Sequence, residues 1–190
     1  MKKILFLFLA ACFFFSCEKE TIVIPQQHAG RTVLAFFWAD NSLNSSLRNN
    51  IQTMMQGLQA MKDSAALLVY WDGEASDISW PEPCIVEYVT NGQGGINSLS
   101  KGTIDAMMAD KNTSIYDLIG IGNIRKKYPP QTSTEKTVMQ TVIGDMMSAY
   151  PSESYGIIFG SHGSGWLPTI TGTRSIGQDG GRYSSDTALI

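Results

Sequence analysis

Cysteine, histidine and clustered charge are all scarce in this chain, and each shortage closes off a class of function. There are three cysteines and two histidines in 190 residues. Cys12 lies inside an apolar N-terminal run and Cys17 at its end, so only Cys84 remains for the folded part and an intradomain disulfide is excluded. A core of this size can form without one. His28 and His162 are far apart and Cys84 stands alone between them, which leaves no ligand spacing of the zinc kind. No metal or cofactor is expected. Fourteen basic residues against seventeen acidic ones give a formal charge of -3, and the longest basic run is Arg125-Lys126-Lys127. Phosphate backbones need clustered Lys and Arg, so nucleic acid is discarded as a partner. The chain also lacks internal repeats, and it lacks the Gly-x-Ser-x-Gly pentapeptide on which α/β-hydrolases place their nucleophile.

What is present begins with an address. Lys2-Lys3 followed by the apolar residues 4–15 reads as an export signal, because the run is too short to span a bilayer stably. Its end, Phe14-Phe15-Ser16-Cys17, resembles a bacterial lipobox, with an ordinary signal peptide cleaved nearby as the alternative. Acyl chains on Cys17 would hold the protein to a membrane while the domain stays aqueous. The expected division is a lipoprotein signal over 1–17, a tether over 18–30 and a folded domain over 31–190. With 43% hydrophobic and 16% charged residues, that domain suits the α/β class.

Residues 32–38, "TVLAFFW", form a continuous β-prone apolar run, the pattern of a strand covered on both faces. After Asp40-Asn41 come Leu43, Leu47, Ile51, Met54, Met55, Leu58 and Met61, one stripe of a helix about 19 residues long. The methionines read as core filler. Residues 66–71, "ALLVYW", give a second strand and residues 84–90, "CIVEYVT", a third, with Cys84 a buried structural thiol. Residues 91–131 read as loops with one or two short helices. Thr132-Ser133-Thr134-Glu135 has the form of a capping box, and Val138, Val142, Ile143, Met146, Met147 and Tyr150 give the next helix its buried face. Residues 155–159 supply a fourth strand, expected near the centre of the sheet. The alternation predicts a mainly parallel sheet with helices on both faces.

His162 follows that fourth strand by a few residues, in "GSHGSGW". In open α/β sheets the working crevice lies at the carboxyl ends of the strands, so this position favours chemistry over a plain surface loop. Gly163 and Gly165 allow close approach of a substrate to the backbone. A serine nucleophile adjacent to His162 is unattractive, since a sequence neighbour rarely reaches the imidazole in the required direction. A cysteine arriving from a later strand fits better.

The exit Trp38-Ala39-Asp40-Asn41-Ser42-Leu43, the Asp72-ended second strand, the stretch "STEKTVMQTVIGDMMSAYPSESYGIIFGSHGSGWLP" and "TRSIGQD" together resemble the clostripain family of cysteine peptidases, in its Bacteroides-type branch. The resemblance covers most of residues 32–180 and implies a caspase-like fold whose C-terminal part is missing here. It implies hydrolysis of peptide bonds after Arg or Lys by a Cys-His dyad. His162 matches the catalytic histidine and would assist proton transfer to the leaving amine, while the Gly163 N–H would help hold the oxyanion. The nucleophile belongs at the end of the next strand, and in caspases the His-to-Cys separation is about 50 residues. No such strand follows within this chain, which on its own is therefore expected to be inactive. A gene fragment is expected, ahead of a processed piece or a truncated relative, because "DTALI" reads as the start of a helix with no stop signal.

The resemblance further implies self-cleavage in the loop after the histidine, with Arg174 and Arg182 as candidate sites. Asp40 and Asn41 are candidate cleft residues. Peptides or proteins with Arg or Lys at P1 are the expected substrates. The expected location is the cell envelope or surface of a Gram-negative bacterium, through lipid on Cys17. The competing reading is a catalytically inactive caspase-like surface lipoprotein that binds peptides or partners, and a further one is an acyl hydrolase built on the His-Gly turn.

Overall fold

Two apolar runs make the middle of the sheet. The structure, a computed structural model, describes residues 29–73, 82–109, 114–163, 175–179 and 182–185. Strand β1 (Arg31–Ala39) sends Leu34, Phe36 and Trp38 to one face and Ala35, Phe37 and Ala39 to the other, all of them buried. That two-sided burial is why the run shows no polar alternation. Strand β2 (Ala65–Gly73) is buried along almost its whole length for the same reason.

The strand order is β4-β3-β2-β1-β5. β1 pairs in parallel with β2 and with β5 (Tyr155–Gly160). β3 (Cys84–Val89) is antiparallel to both β2 and β4 (Asn123–Lys127), so β3 alone runs against the other strands. Helix α1 (Asn44–Ala60) lays Leu47, Ile51, Met55 and Leu58 on one face, beside the short helices α2 (Lys101–Met107) and α3 (Ile115–Ile121). Helix α4 (Lys136–Ala149) covers the opposite face through Met139, Val142 and Met146, packed with Leu34, Phe36, Tyr70 and Ile85. The mainly parallel α/β architecture with helices on both faces is therefore present. A separate hairpin, β6 (Ser175–Asp179) and β7 (Arg182–Ser185), packs against Trp38. A Cβ added at Gly177 would lie 2.8 Å from the Trp38 ring.

Four local expectations are corrected. The region read as loops and short helices contains strand β4, whose five residues are all exposed and include a single apolar one, Ile124. It is held by charge: Lys126 Nζ meets Asp145 at 2.5 Å, Lys127 Nζ meets Glu82 at 3.1 Å, and Arg125 Nε lies 3.5 Å from buried Glu87. The capping box does not form. Helix α4 opens at Lys136 with Glu135 as its N-cap, one turn later than a box headed by Thr132 requires, and the Glu135 N–H donates to the Thr132 backbone carbonyl at 3.1 Å. Neighbouring Ser133 is committed to the sheet, its hydroxyl donating to buried Asp72 and lying 2.6 Å from Tyr70 Oη, which also accepts from Gln131. Met147 and Met61 are 41% and 40% exposed, outside the core stripes, while Met139 takes a core place. Finally, β5 is at an edge among the described strands, with Ile157 and Ile158 45% and 43% exposed.

Candidate active site

Because β1 and β5 are adjacent and parallel, with Phe36 opposite Phe159 and Phe37 opposite Gly160, their exits leave the sheet side by side at the same rim. The two loops are Asp40-Asn41-Ser42-Leu43, leading into α1, and Ser161-His162-Gly163. Gly160 makes this approach possible. A Cβ there would sit 2.5 Å from Phe37 Cδ1 and 2.7 Å from Leu47 Cδ2, so only glycine lets β5 close on β1 and the first turn of α1.

Asn41 organises the β1 exit. Its Oδ1 accepts the Leu43 N–H at 2.9 Å, an Asx turn that redirects the chain into the helix. Its Nδ2 donates to the Trp38 carbonyl at 2.6 Å and reaches Ser161 Oγ at 3.4 Å. Asn44 Nδ2 closes the turn by donating to the Ala39 carbonyl at 3.1 Å. On this braced loop Ser42 Oγ lies 3.0 Å from His162 Nε2. His162 is half-buried and Gly163 exposed. The rim thus presents an imidazole with one nitrogen engaged by a hydroxyl and, among the described residues, no partner on Nδ1. Below it the floor is aromatic: Trp38 stacks on Phe159 with ring centroids 5.6 Å apart and lies 4.7 Å from the Phe36 ring.

His162, Gly163, Asp40 and Asn41 are brought together at this rim. Ser42 joins them, although nothing in the sequence singled it out; its partner is 120 residues away, and only the pairing of β1 with β5 makes the contact. Arg182 opens β7, opposite Asp179 in the hairpin ladder. Arg174 and Cys17 lie outside the described residues. Among those residues no group of three or more His, Cys, Asp or Glu side chains converges as a metal site would require.

Cys84 is the cysteine to weigh against His162, and geometry rules it out as a partner. It is fully buried at the start of β3. The register runs Gly160, Phe37, Trp71, Cys84 across the sheet. Three strand spacings separate the ends of that row, about 14 Å, whereas proton transfer needs hydrogen-bond reach. Cys84 is a packing residue.

The model of the clostripain family, a peptidase family, matches residues 35–187. Among solved structures, a B. fragilis cysteine protease is 27% identical with a TM-score of 0.51, the match covering 74% of this chain and 95% of that one. A secreted C11 cysteine protease from Bacteroides thetaiotaomicron, solved with an irreversible peptide inhibitor, is 26% identical with a TM-score of 0.54, the match covering 85% of this chain but 38% of that one. An inactive zymogen C11 protease from Parabacteroides distasonis shares the fold at 24% identity and a TM-score of 0.52, with 35% of its length covered. Among curated proteins none matches. The chain thus corresponds to nearly all of one solved polypeptide and to little over a third of two others. With the family model spanning both strand exits and the histidine on the second of them, the chain belongs to the clostripain family of cysteine peptidases.

Proposed function

We propose that this chain is the histidine-bearing part of an exported endopeptidase that cleaves after Arg or Lys through a Cys-His dyad. The observation that carries the reading is His162 at the carboxyl rim of β5, clasped by the β1 exit, within the span matched by the family. The nucleophile comes from a strand added along the outer side of β5. Half-exposed Ile157 and Ile158 on that strand, and a groove of about 200 Å³ beside it lined by Phe37, Met54, Ile158, Phe159 and Gly160, support such an addition. A strand laid there ends one spacing from His162, about 5 Å, in place of the separation that disqualifies Cys84.

In this scheme the thiolate adds to the scissile carbonyl, and the oxyanion is held by the Gly163 N–H. The imidazolium of His162 then gives its proton to the departing amine, and water hydrolyses the thioester. An export signal over 1–17 with lipid on Cys17 places the enzyme at the envelope of a Gram-negative bacterium, in keeping with a relative described as secreted. Self-cleavage after Arg174 or Arg182 would separate this part from the nucleophile strand.

The test is the full-length enzyme on Arg and Lys reporter peptides. His162→Ala is expected to abolish turnover, and no cleavage is expected after neutral residues. Turnover retained in His162→Ala ends the dyad assignment. A full-length sequence with no cysteine at the end of a strand following β7 favours the inactive peptide-binding lipoprotein instead.

A further inference from the structure

We propose that Ser42 is a positioning residue for His162: it accepts the Nε2–H of the imidazole and so fixes Nδ1 as the nitrogen that handles the proton. The proposal rests on the protease reading above and adds a residue and a tautomer to it. Its basis is the 3.0 Å contact between Ser42 Oγ and His162 Nε2, the one hydrogen bond made by the imidazole among the described residues.

A serine hydroxyl can donate or accept, so distance alone leaves two tautomers. The chemistry of the site selects one. A dyad histidine alternates between neutral and protonated rings, and in the protonated ring both nitrogens are donors. A hydroxyl that accepts from Nε2–H fits both states without rearrangement. A hydroxyl that donates to Nε2 fits only the neutral ring with its proton on Nδ1, and would have to turn over in each cycle. Acceptance also leaves the Nδ1 lone pair free to take a proton from a thiol.

Ser42 is well placed to impose a direction because its loop is fixed on both sides. The residue before it, Asn41, bonds to the Trp38 carbonyl, to the Leu43 N–H and to Ser161, the residue preceding His162. The one after it, Leu43, starts the helical hydrogen bonding by accepting from the Leu47 N–H at 2.9 Å. Hydroxyl and imidazole are therefore carried by two loops that are themselves tied together. The contact is open to solvent, so water competes for Nε2 and the effect of losing the hydroxyl is moderate.

The experiment uses the full-length enzyme with Ser42→Ala and Ser42→Thr. Two-bond ¹H–¹⁵N correlation of the His162 ring reads the tautomer, and kcat and KM on an Arg reporter peptide are measured against pH. Expected is a wild-type ring with the proton on Nε2, a mixed population in Ser42→Ala, and a kcat lower by about tenfold, the rate equivalent of one ordinary hydrogen bond. KM stays within about twofold, since the bond orients a proton carrier and not the substrate. Ser42→Thr, which keeps the hydroxyl, restores both readouts. The proposal is overturned if the wild-type ring carries its proton on Nδ1, if tautomer and kcat do not change together in Ser42→Ala, or if threonine fails to restore them. The tautomer measurement needs no turnover, so a failed dyad assignment, shown by active His162→Ala, is distinguishable from a failed role for Ser42.

Discussion

Substituting alanine for Gly160 tests whether the β1 and β5 exits are held together by steric fit. The added Cβ would meet Phe37 at 2.5 and 2.7 Å and Leu47 at 2.7 Å, well inside ordinary contact. Phe37 and Leu47 are 1% and 3% exposed and both belong to the core beneath α1, so moving either repacks that core. Overpacking of this kind costs about 1–3 kcal/mol. The strand end has to give way, and it carries two contacts to the β1 exit: Asn41 to Ser161, already long at 3.4 Å, and Ser42 to His162, of ordinary length at 3.0 Å. A shift of a few tenths of an ångström moves the first beyond hydrogen-bond range. Gly156 in the same strand is the control, because an added Cβ there meets nothing within 4 Å. Urea unfolding followed by tryptophan fluorescence should show Gly160→Ala less stable by about 1–3 kcal/mol and Gly156→Ala within about 0.5 kcal/mol of the parent. The full-length Gly160→Ala enzyme should also lose kcat. Equal stability of the two variants would refute the reasoning.

Two other predictions concern charge and processing. Burial raises the Glu87 carboxyl above its ordinary value of 4.5, and the neighbouring Arg125 guanidinium only partly offsets this. The folded protein therefore holds a proton at pH values where the unfolded chain has lost it, so folding stability should rise as pH falls from neutral through the raised value towards 4.5, then level off. Glu87→Gln should remove that increment, and urea midpoints with the same pH slope in both proteins would contradict it. If the enzyme cleaves itself, Arg174 should be used before Arg182, because both residues of the Arg182–Tyr183 bond are paired in the hairpin, with Asp179 and Gln178, whereas the ladder shifts register beside the Arg174–Ser175 bond, where Ser175 faces Ser185. Mass spectrometry should find Ser175 as the new N-terminus and Arg174→Ala should block the cut; cleavage confined to the Arg182–Tyr183 bond would overturn this order.

How far the fold could be foreseen depended on where each signal resides. β1, β2 and α1 announce themselves locally, through unbroken apolar runs and a stripe at helical spacing, because they are buried against many partners. β4 could not be foreseen, since "NIRKK" is exposed throughout and becomes a strand only by pairing with β3 and by ion pairs to Asp145, Glu82 and Glu87. The apolar sequence of β5 suggested a central strand, yet composition records what a strand can pack against and not how many neighbours it has. At the site, the position of His162 after a strand and before glycine was visible. Ser42 was not, because its importance arises from which two strands are neighbours, a property of topology and not of local pattern.

The two borders of the sheet are unlike in character, and this gives the domain a direction of growth. One border displays Arg125, Lys126 and Lys127, cations that repel another strand carrying the same charges and keep that side sealed. The other, among the described strands, is β5 with its two half-exposed isoleucines. Produced alone, the polypeptide should stick to copies of itself through the isoleucine border, and a lysine placed there should keep it dispersed.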